Sequence, residues 1–350
     1  MSATSGNGNT AVESERQGTM LAEAQDKAAR LKAVFSRLSD EIHKVLVGQG
    51  ELVDVVLSTF IAGGHVLIEG VPGVGKTLLV RTLANAVSLP FSRIQFTPDL
   101  MPADITGTMV LGDKVGGGHE LRFEPGPILA NIVLADEINR ATPRTQSALL
   151  EAMQEGRVTV GGRTTELREP FIVLATQNPI EQEGTYPLPE AQLDRFMVKV
   201  VVGYPAEEDY HTILERTTTS RMPEAKPVCD GKDIMALRAI AREVPASRQV
   251  AGYAIRLVMA TQPDSRYAPE DVKRCVALGA SPRALQSLLL LGKVRALLAG
   301  RFAVSCNDIR EVALPVLRHR QVLNFTGQAE RISSDDLVKC ALKSVPELSE

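Results

Sequence analysis

The chain has 350 residues, more than one hydrophobic core normally supports, so at least one internal domain boundary is expected. Hydrophobic residues make up 44% of the sequence, but aromatic residues are only 4% and Trp is absent, which predicts a mainly aliphatic core. The net charge of -3 argues against a general attraction to nucleic acid or anionic membranes, although it leaves room for a local basic groove.

The N-terminal segment changes character at about residue 20. Residues 1–20 are too polar to bury much apolar surface and lack the apolar stretch of a secretory signal, so we predict a flexible tail. Residues 21–46 carry apolar side chains at three- and four-residue steps, among them Leu31, Leu38 and Ile42, which predicts an amphipathic helix. No run of 18 apolar residues follows, so we expect a cytoplasmic protein without a membrane span.

Short apolar runs and segments of helical period alternate between His65 and Pro205. This alternation is typical of a parallel α/β sheet covered on both faces, and we assign residues 21–205 to one α/β domain with a helical entry. The predicted strands are HVLIE, FSRIQF, NIVLAD, FIVLAT and FMVKVVV. Two glycine-bearing segments, 112–123 and 157–169, are predicted to be β-hairpin inserts.

The strand pattern ends after Pro205. Residues 206–227, with two prolines and a run of hydroxyl side chains, are predicted to be a linker, and residues 228–350 a helical domain. The four cysteines lie far apart without a CxxC pair, and the histidines lack paired-ligand spacing, so neither type of residue predicts a metal site.

The strongest chemical motif is a phosphate-binding loop. An apolar strand leads into GxxxxGKT and a helical pattern follows, which is the context that such a loop requires. Lys76 is expected to neutralise β- and γ-phosphate oxygens, and the Thr77 hydroxyl is expected to hold Mg²⁺. The nucleotide-binding loop and the start of its helix comprise Gly70, Val71, Pro72, Gly73, Val74, Gly75, Lys76, Thr77 and Leu78.

Asp136 and Glu137 follow the apolar run of NIVLADE, so they are expected at the carboxyl edge of the sheet, where ligands of open α/β sheets bind. We predict that Asp136 orients Mg²⁺ and that Glu137 polarises the attacking water. Three other residues stay open on chemistry alone. Asn178 suits either a bridge to the γ-phosphate and water or a simple turn, and Arg195 and Arg283 suit either phosphate contacts or surface ion pairs.

The motifs GVPGVGKT, LADEINRA, ALLEAMQEG, LATQNP and PLPEAQLDRF occur in this order and closely resemble the MoxR-type AAA+ ATPases. The resemblance is dense from Val47 to Pro205 and extends through GASPRAL into the helical region. It implies a P-loop α/β domain followed by a helical lid, with ATP and Mg²⁺ bound between subunits of a homo-oligomeric ring, commonly a hexamer.

The resemblance also implies roles for individual residues. Asn178 would be the sensor 1 amide, Arg195 an arginine finger acting on a neighbouring subunit, and Arg283 the sensor 2 arginine acting in cis. Gln95 would restrain Glu137. The segment that lines the adenine would be Val47, Gly48 and Gln49.

Relatives of this type remodel or mature partner proteins, often ones with a von Willebrand factor A domain, and the client of this chain is not indicated. Two other functions stay in view, a DNA-remodelling AAA+ motor and a nucleotide-gated scaffold. The balanced charge, without clusters of basic and aromatic residues, argues against the motor. The intact Lys76, Asp136 and Glu137 argue against the scaffold. A GTPase would need an NKxD motif, which the sequence lacks.

Overall fold

The computed structural model describes residues 7–113, 118–179, 184–218 and 223–347, with side chains from residue 22 onward. The strands are β1 (Val66–Gly70), β2 (Phe91–Gln95), β3 (Gly107–Asp113), β4 (His119–Pro125), β5 (Ile132–Asp136), β6 (Arg157–Val160), β7 (Arg163–Glu166), β8 (Ile172–Gln177), β9 (Val198–Val202), β10 (Val276–Leu278) and β11 (Val322–Leu323).

The helices are α1 (Asn7–Val45), α2 (Gly50–Ala62), α3 (Lys76–Ala86), α4 (Pro102–Thr106), α5 (Pro143–Glu155), α6 (Glu190–Leu193), α7 (Glu207–Thr217), α8 (Gly231–Glu243), α9 (Arg248–Met259), α10 (Glu270–Cys275), α11 (Pro282–Leu298), α12 (Cys306–Leu317), α13 (Phe325–Ala329) and α14 (Ser334–Ser344). None of the helices within the described ranges is both long and apolar enough to cross a membrane.

The central sheet has five parallel strands in the order β2-β5-β8-β1-β9, as the alternating pattern predicted. Successive residues of β5 and β8 point to opposite faces, and both faces are buried. Ile132, Leu134, Ile172 and Leu174 join the core formed with α1, α2 and α3. Val133, Ala135, Val173 and Ala175 join a second core that includes α5.

Helix α1 starts at Asn7, inside the segment that the sequence predicted to be a flexible tail. Its packed part runs from Ala28 to Ile42 against the main core. Extending an existing helix adds one hydrogen bond for each residue that is fixed, so a polar segment can continue a packed helix without burying apolar surface of its own. The composition of residues 1–20 was therefore insufficient to place the helix start.

The two predicted hairpins are present as antiparallel pairs, β3–β4 and β6–β7. The turn of the first, residues 114–117, lies outside the described residues. The hairpins meet each other: Met109 packs over Gly161, and the guanidinium of Arg163 lies 5.9 Å from the ring centre of Phe123.

The predicted linker contains helix α7, which the sequence analysis missed. Its first turn carries Glu207, Glu208 and Asp209, and negative charge there stabilises a helix N-terminus. Most of the helices from α8 to α14 pack on α11 and α12, and β10–β11 is a small addition to this helical region. The core is continuous between the α/β and helical parts, because α1 packs on both α3 and α11.

Candidate active site

The loop between β1 and α3 forms a cradle for an anion. Gly73 and Gly75 have φ values of 83° and 86°, a left-handed backbone that other residues rarely adopt, and Gly75 caps α3. Gly70 lies against β9, where an added Cβ would approach the carbonyl oxygen of Val202 to 2.7 Å. The Lys76 ammonium donates a hydrogen bond of 2.6 Å to the Gly70 carbonyl, so positive charge already sits inside the loop. Together with the helix N-terminus, this geometry favours phosphate.

The other loop residues divide between buried and open positions. Val74 is buried, Val71 and Thr77 are half-buried, and Pro72 and Leu78 are exposed. Thr77 lies in the first turn of α3, directly after Lys76.

The segment Val47–Gly48–Gln49 lies beside this loop. The Gln49 side-chain amide donates to the Val74 carbonyl over 2.9 Å, and both Gly48 and Gln49 have a left-handed backbone. A cleft of about 420 Å³ opens next to the loop and is large enough for a base and ribose. Its lining includes Gln49, Leu52, Val202, Tyr204, Asp209 and Arg318.

Asp136 ends β5 and is buried, with 8% of its surface exposed. Its Oδ1 accepts a hydrogen bond of 2.6 Å from the Thr176 hydroxyl on β8. Its Oδ2 accepts two from Arg93 on β2, from Nη2 at 2.6 Å and from Nε at 3.1 Å. Both carboxylate oxygens are therefore held by side chains of the neighbouring strands.

Glu137 turns sharply out of β5 with a φ of 57°, unusual for a residue with a side chain. Its backbone N–H donates to the Thr176 hydroxyl over 2.8 Å, which supports the turn. Its Oε2 accepts from the Gln95 amide at 2.9 Å and from Arg140 at 3.0 Å. The expected contact between Gln95 and Glu137 is thus present.

Asn178 is buried directly after β8. β8 lies between β5 and β1, and Gln177 is level with Glu69, so Asn178 is level with the start of the phosphate loop. The amide therefore stands between the loop and the two carboxylates. Lys76, Thr77, Asp136, Glu137 and Asn178 converge at one edge of the sheet.

Arg195 lies at the opposite edge. Two residues later, the backbone N–H of Met197 donates to the His65 carbonyl over 2.9 Å, and β9 then runs parallel to β1 from Val66 to Gly70. That length of strand separates Arg195 from the phosphate loop by roughly 13 Å or more, beyond the reach of its side chain. Arg195 therefore cannot contact a phosphate bound in its own loop.

The environment of Arg195 is an open cleft lined by Ser147, Glu151, Gln154, Glu155 and Gln192. Its Nε is buried without a hydrogen-bond partner among the described residues. Burial, and next the charge of Arg283, lower the pKa of the Arg195 guanidinium. The two arginines therefore lie near each other.

Arg283 differs from the expectation that it acts in cis. Its guanidinium lies 3.6 Å from the Asp194 carboxylate, on the Arg195 edge of the sheet and away from the phosphate loop. Two contacts of the helical region fix this position of Arg283. The buried Arg320 donates a hydrogen bond to the Asp194 carboxylate over 2.8 Å, and the Ser281 hydroxyl donates another over 2.8 Å. The sequence did not predict the contact between Arg320 and Asp194, because no local pattern indicates a contact between residues 126 positions apart.

Comparisons with known proteins agree with these features. A model of the "ATPase family associated with various cellular activities (AAA)" matches residues 65–198, and an "AAA lid domain" model matches residues 269–340. Chaperone MoxR1 of Mycobacterium tuberculosis is 46% identical over 305 residues, which are 87% of this chain and 80% of that protein. Protein MoxR of Methylorubrum extorquens is 33% identical over 345 residues, 93% of this chain and 97% of that protein. A solved structure from Cytophaga hutchinsonii has a TM-score of 0.86 and 41% identity, covering 93% of this chain and 98% of the other.

Proposed function

The chain belongs to the MoxR-type family of AAA+ ATPases, and from that premise we propose that it binds Mg-ATP and hydrolyses it to ADP and phosphate. The observation that carries the proposal is the convergence of the phosphate loop, Asp136, Glu137 and Asn178 at one edge of the sheet. Adenine binding beside Val47, Gly48 and Gln49 is supported by the adjoining cleft.

The donor set at this edge fits a magnesium nucleotide. Phosphates suit the cradle because left-handed glycines allow backbone N–H groups to converge on an anion and the first turn of α3 carries no acid. The oxygens of Thr77 and Asp136 are the hard ligands that Mg²⁺ prefers, directly or through water. Bound there, Mg²⁺ would neutralise charge on the β- and γ-phosphates.

The side chains divide the remaining work. Lys76 pairs with phosphate oxygens, and Glu137 orients the attacking water and accepts its proton. For that task Glu137 has to leave Gln95, which holds its Oε2 in the described state. Asn178 is placed to hold the water against the terminal phosphate, because an amide both donates and accepts.

We further propose that both arginines act in trans, in a homo-oligomeric ring that is most simply a hexamer. Arg195 and Arg283 share the edge opposite the phosphate loop, so only a neighbouring subunit can bring them to an ATP. A guanidinium fits the charge that spreads over phosphate oxygens during transfer.

The energy of hydrolysis would serve chaperone-like remodelling of a protein partner. The relative from Mycobacterium tuberculosis carries the name chaperone. We expect the partner to contain a von Willebrand factor A domain. The β3–β4 and β6–β7 hairpins are the candidate elements for contact with it. Nucleic acid is not an expected partner at a net charge of -3.

Nucleotide titration of two variants tests this division of roles. Lys76→Ala should lose ATP binding, because the ammonium neutralises phosphate charge in the ground state. Glu137→Gln should bind ATP as wild type does and stop turnover, because the carboxylate acts on water. An equal loss of affinity in both variants would contradict the proposal. DNA-stimulated ATPase activity with submicromolar DNA affinity would instead support the motor.

A further inference from the structure

Arg93 lies in the site but has no part in the proposed mechanism. It lies on β2 with about half of its side chain exposed, yet it makes two hydrogen bonds to the buried Asp136 carboxylate. The salt bridge joins Arg93, in the middle of the outer strand β2, to Asp136, the acid that we expect to bind a metal ion. A long, half-exposed side chain loses rotamer freedom in such a contact, so the contact requires an explanation.

Asp136 has little freedom to bind a cation while Arg93 is in place. Thr176 holds Oδ1 and Arg93 holds Oδ2, which is the oxygen on the side of β2. A guanidinium supplies the positive charge that a buried carboxylate needs when no metal is near. Metal binding through Oδ2 then requires that the guanidinium move.

Arg93 also reaches the second carboxylate of the site. The same Nη2 that donates to Asp136 donates to the side-chain Oε1 of Gln95 over 2.6 Å, and the side-chain Nε2 of Gln95 donates to Glu137 over 2.9 Å. Because its oxygen is held by Arg93, the Gln95 amide nitrogen is turned toward Glu137. One guanidinium thus holds both acids in the described state, one directly and one through an amide.

We propose that Arg93 is a positioning residue that occupies the metal-facing side of Asp136 when no metal is bound and yields it to the metal. Its departure frees the Gln95 amide to rotate, which removes one of the two hydrogen bonds to Glu137 Oε2 and leaves the one from Arg140. The inference rests on the proposed function, since it presumes that Asp136 serves a divalent cation beside a nucleotide.

The proposal can be tested without turnover by titrating the ADP complex of the full-length protein with Mn²⁺. Binding is measured from the loss of the EPR signal of free Mn²⁺. Arg93→Met should raise the affinity for Mn²⁺ about tenfold, because a charge-assisted competitor is removed. Arg93→Lys keeps a cation beside Asp136 and should stay within about twofold of wild type. Binding of ADP in EDTA should not increase in either variant, since neither gains a phosphate contact.

Arg81→Met is the matched control, because Arg81 is exposed on α3 and its replacement removes one positive charge of the same domain while the Arg93–Asp136 pair stays intact. An Mn²⁺ affinity that is unchanged in Arg93→Met, or that rises equally in Arg81→Met or in Arg93→Lys, would overturn the proposal. Circular dichroism of each variant identifies misfolding, and in that event Arg93→Gln, which keeps a polar side chain, replaces Arg93→Met. Failure of the wild-type protein to bind Mn-ADP would instead count against the proposed function itself.

Discussion

His65 illustrates how a single side chain can serve the fold without serving the chemistry. Its Nδ1 accepts a hydrogen bond of 3.0 Å from the backbone N–H of Val173, and its ring meets Phe171 edge-on. Burial lowers the pKa of His65 to about 4. The folded protein therefore holds this histidine neutral at pH values where an unfolded chain would protonate it.

This shift predicts a loss of stability in mild acid. The folded pKa lies below the ordinary value of 6.5, so the stability is complete above pH 6.5 and declines as the pH falls toward 4. His65 alone accounts for about 2 kcal/mol of loss by pH 5. His319, whose pKa burial also lowers, adds to the decline.

Urea unfolding at pH 7 and pH 5 measures the effect. His65→Gln keeps an acceptor for Val173 but does not titrate, so its free energy of unfolding should fall less between the two pH values. His211→Gln, at an exposed position, should behave as wild type does. Parallel declines in the wild type and in His65→Gln would refute the assignment.

The residues that sequence reasoning identified are those whose surroundings are local. Lys76 follows β1 through the loop motif, Asp136 ends β5 and Glu137 comes next, so strand and motif together fix their place. Arg93 gave no such signal, because its partner lies 43 residues away and its own segment reads only as a strand. Sequence periodicity says which face a residue occupies, not which side chain meets it there.

The segment between α6 and β9 is held by two residues that follow α12. Arg320, with 2% of its side chain exposed, donates to the Asp194 carboxylate and to the carbonyl oxygens of Phe196 and Met197. The buried His319 lies within hydrogen-bond distance of the Phe196 carbonyl. The helical region therefore fixes the backbone on which Arg195 stands.

Arg320→Met should lower the free energy of unfolding by about 3 kcal/mol, because it leaves a partly buried carboxylate with fewer partners. Arg295→Met removes a surface pair with Glu311 and should cost about 1 kcal/mol or less. Chemical denaturation of both variants at neutral pH provides the comparison. Equal losses of unfolding free energy in the two variants would mean that the hydrogen bonds from Arg320 contribute little to stability.

Elements were predictable where their signal was apolar and periodic. The five strands of the sheet met that condition, and so did the packed part of α1, whereas the two hairpins were predicted from their glycine turns. Helix α7 did not meet the condition, because none of its residues is buried and its first turn is acidic rather than apolar. The contact of α11 with Asp194 is a tertiary contact, so the sequence could not show that Arg283 lies beside Asp194.

Within the whole molecule, the two halves of the proposed reaction stand at opposite edges of one sheet. The phosphate loop and its carboxylates lie at the carboxyl edge, whereas Arg195 and Arg283 lie at the amino edge. Each subunit would thus contribute one half to each of two sites. A solitary subunit holds a nucleotide-binding half that lacks both arginines.

Mixing of inactive variants tests this arrangement. Arg195→Ala and Glu137→Gln should each lose most turnover, with roughly 10³-fold loss for the finger, yet their mixture should recover measurable hydrolysis. Recovery arises at interfaces that join an intact Glu137 to an intact Arg195. No recovery despite confirmed subunit exchange, or near wild-type turnover by Arg195→Ala alone, would contradict the trans role.

The same mixing experiment, with Arg283→Ala in place of Arg195→Ala, distinguishes trans from cis action of Arg283. If Arg283 acts in trans, its mixture with Glu137→Gln should also recover hydrolysis. If it acts in cis, every site in the mixture lacks either its own Arg283 or its own Glu137, and the mixture should remain inactive.

The two outer strands of the sheet each carry a basic side chain that pairs with an acid on the neighbouring strand. Arg93 lies on β2 and pairs with Asp136, and Lys199 lies on β9 and pairs with Glu69 over 2.7 Å. Charged side chains on outer strands hinder the edge-to-edge joining of sheets that leads to aggregates. Replacing Arg93 by an apolar residue therefore also weakens the protection of one flank during expression and refolding. Light scattering of Arg93→Met during refolding at high protein concentration should reveal more aggregate than Arg93→Lys does.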